Sequence, residues 1–253
     1  LVRDVGGVDF ILHGGDMVDT ASARVISDAA ALFPLALPVR LCLGNHDLTC
    51  DGALDLWMRH GARFFPGGEP DYTIAAPGCA IHVLTTHWSA TPFLWKDTLD
   101  EHFLPGQLDW LDEQVRRCGN DVQMLVTHSP ARGVPPEQTG LAEPLHPPTP
   151  AFQETIDAIL RRHPRIRCVL GAHTHMNMNA VSGSIHRVTV SSFVETPFEC
   201  KLFEVEQGKV SMTTVSLAGR LSFKAEYDAA KHYVQRREQD RKICCAERRA
   251  TDL

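Results

Sequence analysis

The sequence predicts an α/β fold in which parallel strands are joined by crossover helices. Three observations carry this. Apolar runs of strand length recur at 8–12, 39–43, 123–127 and 166–170. Stretches with helical spacing of apolar residues fall between the strand-like runs. Each run also stops in a polar cluster: Gly15-Asp16, Gly44-Asn45-His46-Asp47, His128, and His173 with His175. The carboxyl ends of strands are where open α/β sheets place their ligands.

Val8 to Leu12 reads as the first strand, followed by a helical stretch from Ala21 to Leu32 that Pro34 and Pro38 close. Val39 to Leu43 is the next strand and Ala53 to His60 a short helix. Tyr72 to Ala76 and Ala80 to Thr86 flank the turn Pro77-Gly78 and predict a hairpin. Pro105 opens a helix with Leu108, Leu111 and Val115 on one face. Gln123 to Thr127 delivers His128, and the stretch 129–150 after it holds seven prolines in 22 residues. A loop of that length usually has a function, and its position predicts a rim over the strand ends. Thr149-Pro150 suits the N-cap and first turn of a helix from Ala151 to Arg162. Strands follow at Ile166 to Leu170, His186 to Ser191, Lys201 to Glu206 and Val210 to Leu217, the last two as a hairpin. The reading is one domain over 1–220 and a polar tail over 221–253. The tail carries eight Lys/Arg against six Asp/Glu, a mixture that predicts a solvated helix.

Composition narrows the function. The chain has 253 residues, 43% hydrophobic and 22% charged, with a net charge of −6. That is a soluble globular balance, and it argues against a nucleic-acid or membrane-surface partner. No apolar run reaches the roughly 18 residues of a membrane span. The eight cysteines have no metal-type spacing; Cys42, Cys79 and Cys168 lie in or beside apolar runs, as small core residues do. These features predict a reduced, cytoplasmic protein. The chain begins Leu-Val-Arg and enters a strand almost at once, which reads as a fragmentary start.

Taken alone, Gly44-Asn45-His46-Asp47 is a polar turn, and a lone strand-end histidine is ordinarily a hydrogen-bonded surface or core group. That plain reading holds for His60, His82, His102, His163 and His186, and for His13 and His87, although these two lie near the strand ends. Four strand ends carrying ligand-type residues together call for another reading. Imidazole and carboxylate suit Zn, Mn or Fe, and a carboxylate can bridge two ions. His173 and His175 are two apart, so an extended segment would turn both to one side.

The order Gly-Asp-x-x-Asp, Gly-Asn-His-Asp, a strand-end His and Gly-x-His-x-His resembles the calcineurin-like metallophosphoesterases, over residues 8 to about 217. The general character of the chain is similar to the bacterial branch that includes cyclic-nucleotide phosphodiesterases. The resemblance implies a four-layer α/β/β/α fold with two packed mixed sheets and a dinuclear centre of divalent transition metal ions, Mn, Fe or Zn. It implies that Asp16 bridges the ions, that Asn45, His128 and His173 complete the second site, and that His175 belongs to the first. His46 would stand over the phosphate and help the leaving group depart, with Asp47 orienting it. The nucleophile would be a metal-bound hydroxide.

The family's opening Asp-x-His motif, which completes the first metal site, is not found before Asp16. Asp100-Glu101-His102 follows no apolar strand and comes in the wrong order to replace it. The first site is therefore expected to be incomplete in this chain and hydrolysis impaired. The implied substrate is a small phosphomonoester or phosphodiester. The alternatives are a protein or nucleotide phosphatase, or a catalytically inactive binding scaffold on the same fold.

Overall fold

The structure, a computed structural model, describes residues 7–33, 36–96, 99–119, 122–206, 208–217 and 227–246. Its elements alternate as expected: β1 (Ile11–His13), α1 (Ala23–Leu32), β2 (Val39–Leu41), α2 (Ala53–His60), β3 (Tyr72–Ala76), β4 (Cys79–Val83), α3 (Pro105–Arg117), β5 (Val122–Val126), α4 (Pro150–Arg162) and β6 (Ile166–Gly171). Then come β7 (Met178–Ser182), β8 (Ile185–Thr189), β9 (Glu199–Glu206), β10 (Lys209–Ser216) and β11 (Lys242–Ala246). Helix starts follow local chemistry. The Ser22 and Thr149 hydroxyls accept from the amides of Val25 and Phe152, and the Gln107 side chain accepts from the Leu104 amide. Each satisfies a donor that the first turn leaves open.

The central sheet runs β3-β4-β5-β6-β8-β7. Its four inner strands are parallel, and antiparallel β3 and β7 close the two edges. Side chains alternate between faces with the period of two that a strand imposes. Ile81, Val83, Met124, Val126 and Cys168 face one core, shared with Leu41 of β2, Trp57 of α2, Val210 and Met212 of β10 and Cys245 of β11. Leu125 and Val169 face the other, against Leu111 and Val115 of α3 and Phe152 and Ile156 of α4. The layers are therefore helix, strand, strand, helix. The expectation of two mixed sheets needs one refinement. The layer facing the six-stranded sheet consists of a parallel pair, β1-β2, and an antiparallel trio, β9-β10-β11, which no described backbone ladder joins.

Other differences are local. β7 escaped the sequence reading because Met178-Asn179-Ala180-Val181-Ser182 is half polar, as an edge strand with a wet face can be. The expected helical tail is corrected. Residues Lys242–Ala246 form a strand antiparallel to β10, and of the described part only His232–Gln235 makes a single α-helical turn. The charge count misled because the apolar pair Ile243 and Cys245, not the charges, decides which face is buried. The segments 221–226 and 247–253 of that tail lie outside the described residues. None of the eight cysteines is disulfide-bonded, and among the described residues no helix is long and apolar enough to cross a membrane.

Candidate metal centre

Two loops cross where β1 and β2 end, and glycine makes the crossing possible. Gly15 has φ of 110°, and Asp16 after it has φ of 52°. A Cβ on Gly15 would sit 2.3 Å from His128 Nδ1 and 2.8 Å from the Gly44 amide. A Cβ on Gly44 would sit 2.2 Å from Asp16 Oδ1. The loops can touch only because both positions lack a side chain.

Asp47 braces the crossing. It is fully buried, and its carboxylate accepts from the amides of Val18 (3.1 Å) and Gly44 (2.9 Å). Burial pushes its pKa up to about 7, against the pull of those two amides. Both of its oxygens face the loop backbone, and no hydrogen bond among the described residues joins its carboxylate to the His46 ring. The His46 ring is held by Asp19 instead. His46 Nδ1 lies 3.1 Å from the Asp19 carbonyl and 3.3 Å from its Oδ1. A carbonyl can only accept, so Nδ1 carries the proton and Nε2 is left free. Trp95 lies against the same ring, 5.1 Å between centroids. Asp19 is the last residue of the Gly-Asp-x-x-Asp spacing; Trp95 belongs to no motif.

Four of the expected ligands converge. Asp16 Oδ2 is 3.2 Å from His128 Nε2. His173 Nδ1 is 3.3 Å from His128 Nε2 and 3.1 Å from Asn45 Oδ1. The carboxylate and the two imidazoles place their ligand atoms within 4.8 Å of one another. His128 Nδ1 donates to the Gly14 carbonyl at 2.7 Å, which orients the ring and turns Nε2 toward Asp16 and His173. Trp88, fully buried, walls the group at 5.4 Å from the His173 ring and 6.0 Å from that of His128. His146, in the proline-rich loop, lies 6.4 Å from His173, so the loop reaches the rim expected of it.

Burial would raise the Asp16 pKa, but the facing His128 and the His46 amide (3.0 Å) hold it well below the usual carboxylate range. Burial and the neighbouring His128 push His173 down to about 3, so its ring is neutral and free to ligate. The donor set fits a divalent metal ion: one carboxylate, one carboxamide oxygen and two imidazole nitrogens, buried or partly buried and aimed at a common point.

His175 stands outside this group. Its backbone, like that of His173, is left-handed (φ of 56° and 60°), and its Nδ1 lies 3.3 Å from the Glu195 carboxylate. The two-residue spacing does not bring both rings to one point, because the backbone between them is not extended. His13 and His87 are structural. His13 Nδ1 accepts from the Gly15 amide at 3.3 Å and its ring meets Phe33 and Phe193 edge-on. His87 Nδ1 accepts from the Phe93 amide at 3.1 Å. Asp100-Glu101-His102 is a brace, with Glu101 accepting from the Thr149 amide and His102 bridged to His87.

A strand-end group of one carboxylate and two imidazoles on a layered α/β fold is a candidate site for a metal ion. The chain belongs to the calcineurin-like phosphoesterases, whose family model matches residues 1–177. The fold is shared with a dimetal phosphatase from Danio rerio, at a TM-score of 0.54 and 12% identity over 94% of this chain and 98% of that one. A sulfate thiohydrolase, SoxB, from Thermus thermophilus gives a TM-score of 0.51 and 14% identity over 88% of this chain and 42% of its own. No curated protein sequence matches the chain.

Proposed function

We propose that the chain hydrolyses small phosphoesters with metal ions held at the strand-end group, one of them by Asp16, Asn45, His128 and His173. The observation that supports this most is the convergence of the Asp16, His128 and His173 ligand atoms within 4.8 Å. The nitrogen and oxygen donors suit Mn, Fe or Zn. A divalent ion held by these residues would supply Lewis acidity and activate water for attack at neutral pH.

The remaining chemistry belongs to the chain. Asn45 adds an oxygen without charge, so a site with a single carboxylate keeps net positive charge for a phosphate. His128 is oriented by Gly14 so that it presents Nε2. His46, with Nδ1–H held at Asp19, presents Nε2; in the imidazolium form, where Nε2 is protonated as well, it can hand that proton to the departing oxygen and return to the neutral ring. With the Nδ1 of His175 at Glu195, a second ion shared by Asp16 and His175 is held more weakly than the first. The eight cysteines, none in a disulfide, support a reducing compartment such as the cytoplasm.

Elemental analysis of the purified protein, with hydrolysis of an aryl phosphomonoester and an aryl phosphodiester in added Mn, tests this reading. The expected result is bound transition metal and turnover of at least one ester, and the ratio of the two rates assigns the substrate class. Protein that takes up no metal and cleaves neither ester overturns it.

A further inference from the structure

The loop that carries His173 and His175 is held in place from outside the family-matched region. Both histidines have left-handed backbones, a conformation that persists in non-glycine residues only where the surroundings fix it. One end of the loop is tied directly to the site, where the Ala172 amide donates to the His128 carbonyl at 2.9 Å. The other end is Asn177, which is fully buried and uses every polar group it has.

Its amide N–H donates to the Val234 carbonyl at 2.8 Å. Its carbonyl accepts from Gln138 Nε2, also at 2.8 Å. Its side chain accepts from the Ser191 amide at 3.2 Å and donates to Glu199 Oε2 at 2.7 Å. Glu199 is itself 1% exposed, and Arg241 answers its charge with both terminal nitrogens, Nη1 to Oε2 at 2.9 Å and Nη2 to Oε1. Arg241 Nη1 also donates to the Gln235 carbonyl, and its guanidinium lies over the Tyr227 ring. Gln138, from the proline-rich rim, donates to the Tyr233 carbonyl as well.

We propose that the segment 227–246 is a clamp that positions the metal-ligating loop, acting through Arg241, Glu199 and Asn177. These are positioning residues. A buried carboxylate without its cation cannot stay as it is. Loss of Arg241 therefore displaces Glu199, releases the Asn177 amide, and lets the loop leave its left-handed geometry. The proposal rests on His173 being a metal ligand only for its effect on metal binding; its effect on the loop stands separately.

The experiment compares the parent with Arg241→Met and with Phe152→Leu, a control in the core on the far side of the central sheet. Amide hydrogen exchange over 172–177 is read on metal-free protein, and Co²⁺ affinity and visible spectrum by titration. Arg241→Met is expected to speed exchange across the loop, weaken Co²⁺ about 10–100-fold, the usual cost of losing an outer partner of a ligand, and shift the spectrum. Phe152→Leu is expected to lower the melting temperature and leave all three readouts at parent values. If Arg241→Met does not fold, Arg241→Lys, which keeps the charge and loses the fork, is read in its place and is expected to give a smaller change of the same sign. Loop exchange at the parent rate, or an equal change in Phe152→Leu, overturns the clamp. A parent that binds no Co²⁺ overturns the metal assignment instead, and exchange still decides the clamp.

Discussion

Gly44→Ala adds a single methyl group, and the structure says what that methyl meets. Its Cβ would lie 2.2 Å from Asp16 Oδ1, 2.6 Å from the Asp16 amide nitrogen and 2.8 Å from His128 Cε1. An ordinary non-bonded contact is about 3.5 Å, so the carboxylate has to move by about 1 Å or more. A rotamer change cannot relieve this, since the Asp16 backbone nitrogen is also within 2.6 Å of the added Cβ. Overpacking of this kind costs about 1–3 kcal/mol of stability, and a 1 Å misplacement of a working group can cost about 10²-fold in activity. Thermal melts of metal-free protein and Mn²⁺ titration of each variant measure the two effects. Gly106→Ala is the control: a Cβ there meets nothing within 4 Å, and inside the first turn of α3 alanine should gain up to about 1 kcal/mol. A Gly44→Ala protein that binds Mn²⁺ as the parent does would refute the close-crossing account of the site.

Three further outcomes follow from the same geometry. His46→Asn should lower turnover about 10²–10⁴-fold, the range for lost acid–base assistance, with metal content unchanged; Asp19→Asn, which keeps the backbone carbonyl at Nδ1, should lose less, and metal loss in either would move His46 into the ligand set. Asp47→Ala leaves the Val18 and Gly44 amides without an acceptor and should cost about 2–5 kcal/mol in urea unfolding; unchanged stability with reduced turnover would return Asp47 to the role of orienting His46. Burial, with His102 nearby, pushes the His87 pKa down to about 4. Between that value and the unfolded value of about 6.5 only the unfolded chain takes up the proton, so His87's contribution is complete above about pH 6.5 and is lost as pH falls toward 4, up to about 3 kcal/mol. Comparing urea midpoints at pH 5 and 7 checks this: His87→Gln should flatten the acid-side loss, and an identical slope would rule His87 out as its source.

The layered order of elements was legible because apolar period and turn chemistry are local properties. Thr149-Pro150 announces α4, and 123–127 reads as strand without knowing what it packs against, within one residue of the observed Val122–Val126. The ligand group was legible for a related reason: Asp16, Asn45, His128 and His173 each end an apolar run, and ends of parallel strands share one edge. What could not be read was which polar atom faces which. Asp47 follows His46 in the chain, yet its carboxylate turns back onto the loop backbone while Asp19, 27 positions earlier, meets the ring. His175 lies two residues from His173 but the left-handed backbone sends it to Glu195. β11 was hidden because two apolar positions in a charged segment decide its burial, and no local pattern distinguishes them from a solvated helix.

The motif residues and the residues that aim them have different kinds of sequence signal. Asn45 and His128 belong to short, specific spacings, since the chemistry needs a given atom at a given strand end. Asn177, Glu199 and Arg241 belong to no spacing at all; they are 22 and 42 residues apart in the chain and are joined only by a buried charge that must be answered. The left-handed histidines make that second group necessary. A loop held in a costly conformation returns to a cheaper one unless something outside it is tied down, and here the tie comes from the segment beyond residue 177, where the family match stops. On the proposed reading, the ligand set specifies which metal chemistry is possible, and the packing of 227–246 decides whether His173 stays where that chemistry can use it.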